Sequence, residues 1–303
     1  MVGYLLHLAV MVGIYAILAY SMNLILGFGG LLPFCHAALY GVGAYAYALA
    51  RIKGTPAAQG GLLFTADWPF LPALALATAA AALAGLVCAL CALRFRGDFF
   101  IFATLGLQMI WFVIIRNWAG LGRGAFGIYG IPRPELAGWK VDEVTEYAGV
   151  VALCAAGVCS ALILLYRSPF GLSLKALRED ERAAESLGIP SFRRYFAAFG
   201  IAGACAGVAG ALYASYVTYI DPTSFSLGES IFLVTLMLLG GSGNVKGPLA
   251  GVLMMILLPE ALRFLGLPST LAPNVREILY GAILIGLMFF RPQGLAGQYR
   301  LDG

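Results

Sequence analysis

The sequence predicts an all-α membrane protein, a helical bundle with about eight to ten transmembrane segments. Hydrophobic residues make up 61% of the 303 residues and charged residues only 11%. Soluble domains have about a quarter charged residues, so this chain has too few polar groups to cover a surface in water. The apolar residues also form long runs that alternate with short charged segments. We therefore treat residues 1–303 as a single transmembrane domain.

The first half of the chain contains four of about nine apolar segments. The first has no basic residues before it, so we expect a spanning helix and not a cleaved signal peptide. A glycine-proline break at Gly27–Pro33 separates the first segment from the second, and a polar loop at 54–69 separates the second from the third. The expected segments are Val2–Leu26, Phe34–Ala50, Leu71–Leu93 and Phe99–Ile115.

The second half begins with an irregular hydrophilic loop, Arg116–Glu146, for which we expect at most one short helix. Glycines of the segment Ala197–Tyr219 recur every three or four residues, which is typical of helices that pack closely in membranes. Ile231–Leu239 is too short to span a bilayer core easily, and it ends at a second glycine-rich break. The expected segments are Ala148–Tyr166, Ala197–Tyr219, Ile231–Leu239, Pro248–Leu262 and Ile278–Phe290, with a loop at Gly266–Asn274.

The two glycine-rich breaks interrupt apolar segments in corresponding halves of the chain. Unpaired backbone groups persist at membrane depth only beside protein or water, and paired breaks are typical of transport pathways. The alternative is that both breaks are tight cytoplasmic turns. If they form a pathway, its candidate residues are Asn23, Gly27, Gly29, Gly30, Pro33, His36, Gly240, Gly241, Gly243, Asn244 and Pro248.

The sequence contains no recognisable catalytic, cofactor or metal site. Neither His7 nor His36 has a carboxylate near it in sequence, and there is no nucleotide-binding GxxxxGK[ST] motif. The CxxC at Cys88 and Cys91 has no His or acidic neighbours, which favours packing thiols. The net charge of +4 is expected to lie in loops near lipid headgroups, which does not favour nucleic-acid binding.

Polar residues within the predicted spans are few. Gln108 is expected to form a hydrogen bond between helices, since a polar group facing lipid costs several kcal/mol. We expect the spans to bury no Asp, Glu, Lys or Arg. This absence argues against proton- or sodium-coupled transport and favours a neutral or zwitterionic cargo.

The longest strongly charged run is Arg167–Arg194. Between its prolines the pattern predicts one amphipathic helix that ends near Gly188, because Pro190 cannot continue it. Asp180 and Glu181 fall on the apolar side of that helix. This position favours docking into a groove of a partner, and the alternative is an ordinary cytoplasmic loop helix.

Within this run, Glu181-x-Ala183-Ala184-x-x-x-Gly188 resembles the coupling loop by which permeases of ATP-binding-cassette (ABC) importers contact their ATPase subunits. Together with LRFRGDFFIFATLG at Leu93–Gly106 and LLGGSGNVKGPLAG at Leu238–Gly251, it is similar to branched-chain amino acid permeases of the LivM type. The three blocks occur in order along nearly the whole chain. The resemblance implies ATPase-coupling roles for Arg178, Glu179, Asp180, Glu181, Ala183, Ala184 and Gly188.

The resemblance also implies a function and partners. The chain would be a multi-pass subunit of the bacterial inner membrane that imports leucine, isoleucine and valine, with the loop 167–194 in the cytoplasm. Its partners would be a second permease of the LivH type, two ATPases of the LivG and LivF type, membrane lipid and a periplasmic binding protein. Similar permeases import urea, short amides or aromatic acids. A stand-alone channel or secondary carrier is a further alternative, and an intramembrane enzyme is disfavoured.

Counting spans from a cytoplasmic 167–194 loop places more Lys and Arg inside than outside, as the positive-inside rule expects. The excess is modest. A re-entrant turn at Gly27–Pro33 would reverse the N-terminal side, so the side of the N-terminus stays open.

Overall fold

A computed structural model describes residues 2–52, 66–136, 139–141, 143–263, 281, 282 and 286. Most of the predicted loop at 54–69, the predicted loop Gly266–Asn274 and most of the predicted span Ile278–Phe290 lie outside these residues. The described part of the chain is helical with very little strand, which confirms the predicted all-α membrane fold. Five of its helices are long and apolar enough to cross a membrane.

The helices follow the predicted apolar segments closely. They are α1 Val2–Asn23, α2 His36–Arg51, α3 Phe70–Ala92, α4 Asp98–Asn117, α5 Ala119–Gly122, α6 Val144–Arg167, α7 Pro169–Glu179, α8 Glu181–Ser186, α9 Ser191–Val217, α10 Leu227–Gly240 and α11 Gly247–Arg263. The five long apolar helices are α1, α3, α4, α6 and α9.

Close backbone packing joins α2, α3 and α9. A Cβ atom at Gly203 would lie 2.5 Å from the Ala81 carbonyl oxygen, and one at Gly207 would lie 2.6 Å from that of Ala77. On α2, a Cβ at Gly43 would lie 2.5 Å from the Gly207 Cα. The predicted small-residue face of Ala197–Tyr219 is therefore confirmed, since only glycine fits where the backbones approach so closely.

The helices define two ends of the bundle. At one end, which we call the coupling end, the end of α6, the helices α7 and α8 and the start of α9 lie beside the residues that follow α1. At the opposite end, the His7 Nδ1 atom lies 2.7 Å from the Tyr216 hydroxyl, which pairs the start of α1 with the end of α9. The helix α1 therefore runs from the opposite end to the coupling end.

The opposite end contains short strands, of which β1, β2 and β3 lie in the predicted irregular loop Arg116–Glu146. Strand β1 Ile128–Tyr129 pairs antiparallel with β4 Tyr219–Ile220, and β2 Glu135–Leu136 pairs with β3 Trp139–Lys140. These strands were not predicted, because two-residue ladders leave no periodicity in a sequence. Arg51 closes this end by donating to the Trp68 and Arg133 carbonyl oxygens at 2.9 and 2.8 Å.

Helix α10 starts deep within the bundle. Its first turn contacts Tyr15, the midpoint of the Val2–Phe28 segment, and the helix ends at Gly240. Fourteen residues rise about 21 Å, which is too short to cross a bilayer core. The prediction that this segment is too short to span is therefore confirmed.

Candidate functional site

The two glycine-rich breaks contact each other at the coupling end. After Asn23 the chain forms one π-helical turn, Leu24–Phe28, and then loses helical geometry until His36. The buried Asn23 side chain donates to the Asn244 carbonyl oxygen at 3.0 Å and accepts from the Gly243 amide at 3.1 Å. One side chain of the first break thus satisfies two backbone groups of the second.

Glycine is required where the breaks meet. A Cβ at Gly27 would overlap the Asn23 Oδ1 atom and lie 2.5 Å from the Gly243 nitrogen. Gly241 and Gly243 have φ values of 96° and 80°, in the left-handed region that favours glycine. Tyr20 adds a further contact by donating to the Val245 carbonyl oxygen at 2.8 Å. The breaks therefore form a closely packed joint, which we call the break joint (residues 20–30 and 240–245).

The other predicted pathway residues pack around this joint. His36 is fully buried, and its Nε2 atom lies 2.9 Å from the Ser21 hydroxyl. Gly240 faces α11, where a Cβ would lie 2.8 Å from the Gly251 nitrogen. Pro33 and Pro248 are buried, and Gly29 approaches the Tyr195 ring of α9. A pathway role for these residues stays a prediction, since in this conformation they are packed together.

Helix α7 is attached directly to the break joint. The Arg178 guanidinium donates to the Gly27 carbonyl oxygen, which the end of the π-helical turn leaves without a helical partner. The aliphatic part of Arg178 lies against Gly30, whose φ is 70°. Lys175 lies 4.9 Å from the centre of the Phe28 ring, within cation–π range.

The charged loop contains two helices, so the predicted single helix between Pro169 and Gly188 is wrong. The chain is extended at Asp180, with φ −152° and ψ 106°, between α7 and α8. The Asp180 carboxylate accepts from the Ala183 amide at 3.0 Å and caps α8. Asp is a preferred N-cap residue, and this signal in the sequence was missed.

The predicted coupling residues divide between two faces of α7 and α8. Arg178, Glu181 and Ala184 face the protein, and the Glu181 carboxylate pairs with Arg96 at 2.8 Å. Glu179, Asp180, Ala183 and Gly188 are exposed. Exposed apolar side chains lie beside them, with Leu187 82% exposed and Leu172 61% exposed. The outward face thus presents apolar and charged groups together.

A buried polar cluster lies deeper in the bundle, around Gln108. Its side-chain oxygen accepts from the Ala38 amide, and its nitrogen donates to the Phe225 carbonyl oxygen, both at 2.8 Å. Ser230 adds a hydrogen bond to the Ala37 amide at 3.2 Å. The expected interhelical role of Gln108 is confirmed, and the cluster satisfies the first amides of α2.

In the described part of the chain a carboxylate lies at depth, although the sequence analysis expected no Asp, Glu, Lys or Arg there. Glu229, in the first turn of α10, accepts from the Tyr15 hydroxyl at 2.7 Å and is half-buried. The predicted span began only at Ile231, so Glu229 was assigned to a loop. In fact the turn Pro222–Phe225 carries the chain into the bundle before α10 begins. The predicted span therefore began two residues too late to include the Glu229 carboxylate.

Asp221 holds the turn that leads into α10. Burial acts to raise the pKa of its carboxyl group, but hydrogen bonds from Ser224 and Thr223 outweigh this and keep the pKa below its usual value. The carboxylate is therefore ionised at neutral pH. It stabilises the turn in the conformation that directs α10 inward.

A family model described as the permease component of branched-chain amino acid transport systems matches residues 4–288. The chain belongs to this permease family. The resemblance of the three sequence blocks is therefore confirmed. No solved structure matches the chain.

Its relatives include both types of permease named for branched-chain amino acid transport. The LivM permease proteins of Salmonella typhimurium and Escherichia coli are 31% and 30% identical to this chain, over 97% of it and 70% of their own length. The LivH permease protein of Escherichia coli is 24% identical over 95% of this chain and 92% of its own length. The chain is thus similar to two subunit types that are named as separate proteins.

As a member of this permease family, the chain is a multi-pass membrane protein whose homologues are transport subunits. Among the described residues, no group of three or more His, Cys, Asp or Glu side chains could hold a metal ion. The feature that the site does contain is the contact of Arg178 with Gly27, which attaches the outward-facing helices α7 and α8 to the break joint.

Proposed function

We propose that the chain is the membrane-spanning subunit of an ABC importer for branched-chain amino acids. The names of the LivM and LivH relatives support this cargo. We also propose that residues 1–303 form one domain, that the coupling end faces the cytoplasm across the bacterial inner membrane, and that ATP is hydrolysed on partner subunits.

Four partners follow from this proposal. The chain pairs with a second permease of the LivH type and receives cargo from a periplasmic binding protein. Two ATPases of the LivG and LivF type supply the energy. The similarity of this chain to LivH proteins supports the pairing, since two related permeases can pack about a pseudo-twofold axis.

The contact between Arg178 and Gly27 is the observation that carries the coupling mechanism. An ATPase bound to the outward face of α7 and α8 would move these helices when it closes on nucleotide. Because Arg178 is bonded to Gly27 in the π-helical turn after α1, that movement reaches the break joint without a flexible linker. Separation of Asn23 from Gly243 and Asn244 would then open the joint to cargo.

The docking surface is tested by a matched pair of substitutions in the complex purified with all partners. Leu187→Asp places a charge on the outward face, and Phe126→Asp places one at the opposite end. Both side chains are 82% exposed. We expect only Leu187→Asp to abolish co-purification of the ATPases. Equal retention of the ATPases in both variants would contradict the proposed surface.

The cargo is tested by uptake into proteoliposomes that contain the complex, with binding protein outside and ATP inside. We expect uptake of labelled leucine, isoleucine and valine that depends on ATP. Urea and phenylalanine serve as comparison cargoes. Preferential uptake of either one would assign the chain to a different transport specificity, and uptake without the ATPases would indicate a stand-alone carrier.

A further inference from the structure

A carboxylate faces an aromatic cluster halfway through the bundle. Tyr15 lies thirteen residues from each end of the Val2–Phe28 segment, or about 20 Å by helical rise. It donates to Glu229 at 2.7 Å and meets the Phe232 ring edge-on at 5.5 Å. Glu229 therefore lies near the midplane and not at either end.

Glu229 has no cationic partner within the described residues. Among these residues, only the Tyr15 hydroxyl donates a hydrogen bond to its carboxylate. A carboxylate at depth is costly unless it is paired, and such residues are typical of substrate and ion pathways. Its place in the first turn of α10 offsets some of this cost, because the helix dipole favours a negative charge there.

A second polar group in this cluster, the Tyr40 hydroxyl, has no hydrogen-bond partner among the described residues. The Tyr40 side chain is 1% exposed, and its hydroxyl forms no hydrogen bond among the described residues. Tyr40 lies near Glu229, because the Ala37 amide, one turn earlier on α2, donates at 3.2 Å to the hydroxyl of Ser230, the residue after Glu229. The Tyr40 ring packs on Phe225 at 5.0 Å and on Tyr213 at 5.6 Å. The Tyr45 and Tyr47 hydroxyls also lack partners among the described residues, but of the three only Tyr40 belongs to the cluster around Glu229. A buried hydroxyl without a partner is rare in proteins, and here it lies where a ligand of the carboxylate could use it.

Part of the cluster is accessible at the surface of the chain. Tyr15, Phe232 and Glu229 are in contact with one another, and all three are only half-buried. A ligand can therefore reach the carboxylate without displacing the core of the bundle.

We propose that Glu229, Tyr15 and Tyr40 form a binding site for the ammonium group of a neutral amino acid in transit. The carboxylate provides a charge-assisted hydrogen bond, and the tyrosine rings provide cation–π contacts. This proposal rests on the proposed function. A site of this kind excludes urea as the preferred cargo, because urea carries no positive charge. Branched aliphatic side chains would lie against the neighbouring apolar surface.

The site is tested first by ligand binding, without transport. The full complex, purified without the binding protein, is heated with leucine, with isopentylamine (leucine without its carboxylate) or with 4-methylpentanoate (leucine without its ammonium). We expect leucine and isopentylamine to raise the melting temperature and 4-methylpentanoate to have no effect. Stabilisation by 4-methylpentanoate alone would overturn the proposal.

Uptake by variants provides the second test. Glu229→Gln should lower the initial rate of leucine uptake about tenfold or more, the value of one charge-assisted hydrogen bond. Basal ATP hydrolysis and assembly should persist. The control Glu143→Gln removes an exposed carboxylate at the opposite end and should leave uptake unchanged. Wild-type uptake by Glu229→Gln would overturn the proposal.

If the complex with Glu229→Gln fails to assemble, Tyr40→Phe tests the proposed ammonium site. It removes a hydroxyl without a partner in the described protein, so folding should be preserved. We expect the KM for leucine to rise about fivefold, as for loss of one neutral hydrogen bond. Tyr47→Phe, on the same helix against Phe70, is the matched control. An unchanged KM for Tyr40→Phe would overturn the site. A wild-type complex that imports no leucine would instead contradict the proposed function.

Discussion

Asn23 joins two segments that are separated by 220 residues in the sequence. Both ends of its side-chain amide are used, one as donor and one as acceptor. Its replacement leaves the Gly243 amide and the Asn244 carbonyl without this partner, and an unsatisfied buried group costs more than an average hydrogen bond is worth.

Asn23→Ala should therefore lower the free energy of unfolding by about 1–3 kcal/mol. Asn117→Ala is the control, because Asn117 is exposed and its side chain donates within its own helix, to the Val113 carbonyl oxygen. It should change stability by less than about 0.5 kcal/mol. Both values can be measured by reversible unfolding in mixed detergent micelles. Similar values for the two variants would show that the break joint contributes little stability.

The residue types at this joint were predictable, but their contacts were not. Asn23 and the glycines are conspicuous in apolar segments, because polar and flexible residues are costly there without a reason. Nothing local in the sequence shows that Asn23 binds Gly243, since this contact depends on how α1 and α11 pack. Glu229 was missed for a related reason, because the depth of α10 depends on the turn before it.

At the scale of elements, the extended geometry at Asp180 makes α7 and α8 separate bodies. The apolar periodicity continues across the break, which explains why the pattern predicted one helix. The capping residue was the only local signal of the boundary. In contrast, the ends of α3 were predictable to within one residue, since Pro69 precedes it and Arg94 follows it closely.

Asp180→Ala should destabilise α8 by about 1 kcal/mol through loss of its N-cap, whereas Asp180→Asn should retain the cap. If the ATPases bind α8, the Ala variant should bind them less tightly than the Asn variant. The affinities can be compared by titrating purified ATPase onto the permease pair in nanodiscs. Weaker binding by both variants to the same degree would indicate that the charge of Asp180 matters and not its cap.

Arg178→Met should separate ATP hydrolysis from transport. The substitution removes the bond to the Gly27 carbonyl oxygen but preserves much of the aliphatic packing against Gly30. The ATPases should still bind, because the outward face is unchanged. We expect the number of leucine molecules imported per ATP to fall severalfold, measured in proteoliposomes.

The control for this variant is Arg182→Met, on the exposed side of α8. It should weaken ATPase binding while the leucine-to-ATP ratio of assembled complexes stays normal. A normal ratio in Arg178→Met would contradict the role of this contact in coupling.

At the scale of the whole molecule, the structure agrees with the alternation of spans counted from the loop 167–194. The described basic residues of the loop 167–194, Arg94 and Arg96 lie at the coupling end. Fewer lie at the opposite end, namely Arg51, Arg116, Arg123, Arg133 and Lys140. More cations thus lie at the coupling end, as expected of a cytoplasmic face. If the coupling end is cytoplasmic, the N-terminus lies on the other side of the membrane, because α1 runs from the opposite end to the coupling end.

This orientation predicts the accessibility of single cysteines in a variant that lacks the six native ones. Ser186→Cys, exposed on α8, should react with a membrane-impermeant maleimide in inverted vesicles but not in intact spheroplasts. Thr145→Cys, exposed at the start of α6, should show the reverse. Labelling of Ser186→Cys from outside would place the coupling end on the wrong side of the membrane for ATPase binding.

The glycine contacts among α2, α3 and α9 affect how motion in this transporter can be measured. Where carbonyl oxygens and Cα atoms lie so near each other, sliding by one residue would drive alanine methyl groups into a neighbouring backbone. The three helices should thus keep a constant mutual distance throughout the ATPase cycle. Spin labels at the ends of α3 and α9 would provide an internal reference frame, against which displacement of α7 can be read in ångströms.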